Sequence, residues 1–337
     1  MSFKIREKFS RKGAETQSAA AFLRFSLRLC AFAGETLSPS RSFQYFSGPL
    51  VLASLLLALV VVGQKSGSHP SRVRSSMTTE AKALVDNAIG IVCAQAKLDP
   101  QSSVAIDVMQ AKPSLPVQSP EAKAGAERAQ RLLPEAKKLA INSLNQLTVE
   151  YKLNKSPRFR LRLQQAIARV NSVKRVRPDM ESRDNASVFL SRPHVITFGT
   201  IFLAGLRSDE GMISVLAHEL MHIADGDYDS MRPLVSAVGN NASDLTGLDI
   251  HGQRAEEVTC DLIGAMAARA YVGNTPGYES IARRLARSIQ HNCVDVDEGD
   301  EDHLSPRQTI QALLSLNPVL VRELINDREE RTPGRKL

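Results

Sequence analysis

His218-Glu219-Leu220-Met221-His222 places two imidazoles four residues apart around a carboxylate. A helix turns once every ~3.6 residues, so positions i and i+4 share a face and both side chains can converge on one metal ion. Glu219 then stands beside the metal rather than on it. From there a carboxylate can take a proton from a zinc-bound water and pass it to a leaving amine. The flanks read as helix. Ser208 offers a capping hydroxyl, Asp209 and Glu210 put negative charge where the helix dipole favours it, and Ile213, Leu216, Leu220 and Ile223 recur at helical spacing. Gly226, just past the last periodic residue, predicts the end of the helix. The plain alternative is a helix with two incidental histidines.

Two histidines do not complete a catalytic zinc site, which usually takes three protein ligands and leaves a position for water. No histidine lies within a dozen residues after His222, which argues against the all-histidine extended motif. Downstream, residues Arg254 to Ala265 read as a second helix, acidic at the start and then small and apolar. Glu257 and Asp261 share one face of it, as suits a carboxylate ligand followed one turn later by a carboxylate that orients a ligand histidine. Glu256 is the rival ligand, with Cys260 rather than an acid four residues on. The bland reading of these acids is a solvated first turn.

Together these residues resemble the gluzincin peptidases of the HtpX and CAAX-prenyl-protease type, peptidase family M forty-eight. Two further segments are similar. Asn185-Ala186 followed by Val195-Ile196-Thr197-Phe198-Gly199 resembles the family's edge strand, and His303-Leu304-Ser305-Pro306-Arg307 resembles its His-Pro segment ending in Arg. The resemblance covers about residues 140 to 315. It implies an α+β fold, mainly helical, with a small β-sheet whose edge strand faces the active-site cleft. It also implies one zinc ion on His218, His222 and Glu257, Glu219 as the base, and proteins or peptides as substrates. Two departures stand out. Ser191-Arg192-Pro193-His194 replaces the family's Pro-Gly-Gly turn, and Leu304 stands where the family has Pro.

His303 in such a site would stabilise the oxyanion as water attacks the carbonyl. Its alternative is a surface histidine in the acidic loop of Asp295, Asp297, Glu298, Asp300, Glu301 and Asp302. Asn185 and Ala186 are candidates for substrate contact, because an unpaired strand edge is a template for an extended peptide; a turn asparagine is the alternative. His194 is a lesser candidate.

The formal charge of +7 invites a nucleic-acid reading, but its location rejects one. Up to Phe46, eight cations (Lys4, Arg6, Lys8, Arg11, Lys12, Arg24, Arg28, Arg41) face three acids (Glu7, Glu15, Glu35), leaving only +2 of that total for the rest. The basic character belongs to a leader, and no polybasic stripe with interleaved aromatics follows, so no nucleic-acid partner is expected. Residues 47–63 are apolar and uncharged, near the ~17-residue lower limit for a span. The excess positive charge before this run predicts an anchor that keeps the N-terminus cytoplasmic and the body across the membrane, in a periplasmic or extracellular setting. Signal cleavage near Gln64, giving a soluble exported form, and a mitochondrial address are the alternatives.

The expected order is a basic leader (1–46), the anchor or signal segment (47–63), a polar tether (64–78), a helical extension (79–139), the catalytic domain (140–315), and a C-terminal helix with a polar tail (316–337). Residues 79–96 predict one helix, and residues 120–153 one long or two short ones. Of the three cysteines beyond the anchor, Cys260 sits in the ligand helix as a small buried hydrophobe, which leaves Cys93 to pair with Cys293. The functional expectation is a zinc endopeptidase, with envelope protein quality control as the setting that the resemblance suggests. A zinc hydrolase of a nonpeptide substrate and a silent binding scaffold are its rivals. Nothing in the sequence fixes an oligomeric state.

Overall fold

The computed structural model describes residues 76–98, 115–183, 185–189, 191–226, 230–293 and 299–330. The leader, the apolar run expected to anchor the chain and most of the tether lie outside them. Among the described residues no helix is long and apolar enough to cross a membrane. Ten α-helices and three strands are described: α1 (Thr79–Leu98), α2 (Pro120–Glu150), α3 (Pro157–Ser172), β1 (Arg175–Asp179), β2 (Ala186–Val188), β3 (Val195–Gly199), α4 (Thr200–Gly205), α5 (Asp209–Asp225), α6 (Arg232–Thr246), α7 (Gln253–Asn274), α8 (Ile281–Arg287), α9 (Pro306–Leu316) and α10 (Pro318–Glu330). The fold is α+β and mostly helical, as expected.

The helix with the histidine pair, α5, is fixed at both ends. Ser208 Oγ accepts the Gly211 N–H at 3.1 Å, which satisfies one of the orphan donors of the first turn. At the other end Gly226 takes a φ of 69° and its N–H returns to the His222 carbonyl. In this last turn the carbonyls of Ile223, Ala224 and Asp225 all accept from the Arg169 guanidinium of α3. Between the ends, Ile213, Leu216, Leu220 and Ile223 are buried, as their spacing predicts.

Helix α7 packs against α5 at very short range. A Cβ at Gly264 would lie 2.6 Å from the Ser214 carbonyl, so only glycine permits this approach. Ala255, Ala265, Ala267 and Ala268 are also buried along α7, and their small size lets the backbones close. The 31-residue α2 packs against α4, α5, α7 and β1 and contributes Leu132, Leu133, Leu139, Leu144 and Leu147 to the same core. Residue 139, the expected end of the helical extension, lies inside this continuous helix, and residues on both sides of it bury their apolar face in one core.

The sheet has the order β1-β3-β2, with β3 parallel to β1 and antiparallel to β2. This corrects the expectation that Val195–Gly199 belongs to the edge strand. Val195–Gly199 is the central strand, with Ile196 and Phe198 fully buried, and the cleft edge is the shorter β2. The other edge, on β1, is closed by a side chain. Gln130 of α2 accepts the Val176 N–H at 2.9 Å and donates to the Lys174 carbonyl at 3.3 Å. The expected pairing of Cys93, on α1, with Cys293 is present, and Cys260 is free and buried.

Candidate metal centre

The crossing of α5 and α7 brings two histidines and three carboxylates together. The Nε2 atoms of His218 and His222 face each other at 3.2 Å. Each ring is held from behind: His218 Nδ1 donates to Asp261 Oδ1 at 2.9 Å, and His222 Nδ1 donates to Glu256 Oε1 at 2.9 Å. With both Nδ1 protons engaged, the Nε2 lone pairs are left for a shared partner. Glu257 faces them, its oxygens 3.4 Å from His218 Nε2 and 3.6 Å from His222 Nε2. His303 Nε2 is 3.8 Å from the same carboxylate, and its Nδ1 is 3.0 Å from Asp300 Oδ1.

His218, His222 and the buried thiol of Cys260 form a group that could hold a metal ion, with ligand atoms within 4.8 Å of one another. The Cys260 sulfur, however, lies 3.7 Å from Nδ1 of His222, the nitrogen already bonded to Glu256. Burial also pushes its thiol pKa up, against the two nearby imidazoles that pull it down. A sulfur on the Nδ1 side of the ring is poorly placed to share an ion with the two Nε2 atoms. Glu257 is the better third donor, because it lies on the Nε2 side of both rings.

Charge within the site is strongly coupled. Burial would lower the pKa of His218, but the hydrogen bonds to Asp261 and Glu257 outweigh it and hold the group well above 6.5. For His222, burial likewise acts downward, and Cys260 and the Glu256 and Glu257 carboxylates reverse it. Burial raises the carboxyl of Glu257, yet its bonds to both histidines carry it well below the usual carboxylate range. Glu219, 5% exposed, goes the other way: burial raises it, and the histidines only partly offset that. Neighbouring carboxylates thus have opposed proton affinities.

Two cavities open on this group. One, of about 270 Å³, runs past Ala186, Val188, Glu219, Gln253 and Glu257. The other, about 260 Å³, is lined by Phe202, Val215, Val258, Leu304 and Pro306 together with Glu219 and His303. Asn185 and Ala186 line both. The main chain of Asn185 is engaged inside the fold, since its N–H donates to Ser182 and its carbonyl accepts from Gly199 at 2.7 Å. Because residues 185 and 199 form a bonded pair, the alternation of an antiparallel ladder turns the main-chain groups of Ala186 and Val188 outward, toward the cleft.

Eight of the residues singled out in the sequence line the cleft. His194, the lesser candidate, does not; its Nδ1 contacts Ser172 at the end of α3. Sequence reasoning missed Val188 and the role of Glu256. Two histidines that turn their Nε2 atoms to a common point need two acceptors for their Nδ1 protons, and counting acceptors would have assigned Glu256 to the second. No residue of 79–139 lines either cavity among the described residues. No family model, curated protein or solved structure matches the chain.

Proposed function

We propose that the chain is a zinc-dependent endopeptidase, with His218, His222 and Glu257 as the ligands and Glu219 as the base. The observation that carries this reading is the pair of Nε2 atoms at 3.2 Å, each backed by its own carboxylate, facing a third carboxylate beside a buried glutamate. Two nitrogens at the usual zinc distance in a tetrahedral arrangement would be roughly 3.3 Å apart. The residues therefore fit the ion, and two imidazoles with one carboxylate are donors that suit zinc. When bound, zinc would supply Lewis-acid polarisation and lower the pKa of water.

The chain's own residues supply the rest. Glu219 takes a proton from the attacking water and returns it to the leaving amine, a task matched to a carboxylate of raised pKa. His303, held through Asp300, offers a donor to the oxyanion. Asp261 and Glu256 keep the ligand rings in one tautomer. The outward main chain of Ala186 and Val188 favours a peptide over a nonpeptide substrate, since an extended chain adds to such an edge by backbone hydrogen bonds. The Cys93–Cys293 bridge suits an oxidising compartment and so a non-cytoplasmic catalytic body.

The deciding experiment compares bound zinc and casein cleavage in the wild type and Glu219→Gln. The variant is expected to keep its zinc and lose cleavage by at least ~100-fold. Equal cleavage by the two proteins would refute the assignment.

A further inference from the structure

The side chain of His303 reaches the cleft from the turn that precedes α9, and Arg254 ties that turn to the helix that carries Glu257. Arg254 lies in the first turn of α7, three positions before Glu257. A cation there opposes the helix dipole, so local helix stability does not explain it. Its guanidinium reaches across to the turn instead, donating from both Nε, at 3.2 Å, and the terminal nitrogen to the carbonyl of Asp300. Asp300 in turn organises the turn. Its Oδ1 accepts the N–H of Asp302 at 3.0 Å, the N–H of His303 at 2.7 Å and the Nδ1 proton of His303 at 3.0 Å. Its own N–H donates to the His303 carbonyl at 3.0 Å. The turn is too tight for any side chain at Gly299, where a Cβ would lie 2.6 Å from the His303 carbonyl and 2.7 Å from the Ser305 nitrogen.

We infer that Arg254 is a positioning residue: it locks the Gly299–Ser305 turn onto α7 so that His303 and Glu257 keep a fixed mutual geometry. The two residues then ride on one helix although 46 positions separate them in sequence (257 to 303). His303 is about half exposed at its side chain, so packing alone does not hold it. The inference rests on the peptidase reading for its kinetic consequence, and on the geometry alone for its structural one.

The test uses the full-length protein, with Arg254→Ala, Arg254→Lys, His303→Ala and the Arg254→Ala/His303→Ala double variant. Amide hydrogen exchange in 299–305 is expected to rise about tenfold in Arg254→Ala while α5 is unchanged, since only the turn loses its anchor. Bound zinc should stay at wild-type level. Peptide cleavage should lose about tenfold or more in kcat with little change in KM, as misplacement of a transition-state donor predicts. Arg254→Lys, which keeps one donor, should recover part of that loss. Adding Arg254→Ala to His303→Ala should cost less than about twofold more, because both act through one group. Unchanged exchange in the turn, or full additivity of the two variants, would overturn the inference. If Arg254→Ala fails to fold, Gly299→Ala strains the same turn from the other side and must give the same exchange and kinetic pattern. A wild type that binds zinc but cleaves no peptide would sink the peptidase reading and leave the exchange arm to judge the anchor.

Discussion

Glu256 and Glu257 are neighbours in sequence with different tasks, and the difference comes from which face of two imidazoles each one meets. Glu257 approaches the Nε2 side and Glu256 the Nδ1 proton of His222. Glu257→Ala should therefore lose zinc outright, whereas Glu256→Ala should keep it with an affinity lowered by about 10–100-fold, the usual effect of removing a partner of a ligand histidine. Zinc titration of both variants by competition with a chelator checks this, and the reverse order would move the ligand by one residue. Glu257 was legible because Asp261 stands one turn beyond it. Glu256 was not, because its partner is on another helix and no spacing within one helix reveals it.

At the scale of elements the site is a crossing of two helices, and its tightness depends on Gly264 against Ser214. Gly264→Val should push α7 away from α5, costing about 1–3 kcal/mol by overpacking and weakening zinc binding along with it. Denaturant melts and zinc titration would read both losses. The same crossing sets a pH dependence. His218 and His222 have raised pKa values, so their stabilising ion pairs are complete below the unfolded value of about 6.5 and fade as pH rises through the folded values. Glu257 is depressed, so its share is present above about 4.3 and fades as pH falls toward its folded value. Zinc needs the histidines deprotonated and gains as pH rises. The Tm difference between zinc-loaded and chelated protein should therefore widen from about pH 6 to pH 8.5; a narrowing would contradict the pairing described. Helix ends were readable in the sequence, since Ser208 and Gly226 cap α5 as their chemistry predicts. The order of the strands was not, because three short strands can be arranged in several ways and only burial of Ile196 and Phe198 on β3 puts it in the middle.

At the largest scale, one core extends among the described residues from Val85 of α1 to Leu324 of α10, and a disulfide links α1 to the segment after α8. The bridge closes a loop of 200 residues, and chain entropy gives such a loop roughly 5 kcal/mol. Replacing both Cys93 and Cys293 by Ser should cost about 2–5 kcal/mol in denaturant unfolding, since native strain and residual structure take back part of the ideal value. Nonreducing peptide mapping that finds both thiols free would dispose of the bridge. The pairing was accessible from the sequence by assigning Cys260 to the ligand helix. The packing of α2 with the rest was not, because composition does not show that α2 lays its leucines on α5 and α7. The closed ring has one more consequence. It encloses every ligand candidate and the whole cleft edge, so a cut anywhere between residues 94 and 292 leaves both fragments covalently joined. A chain nicked there would still run as one species until reductant is added.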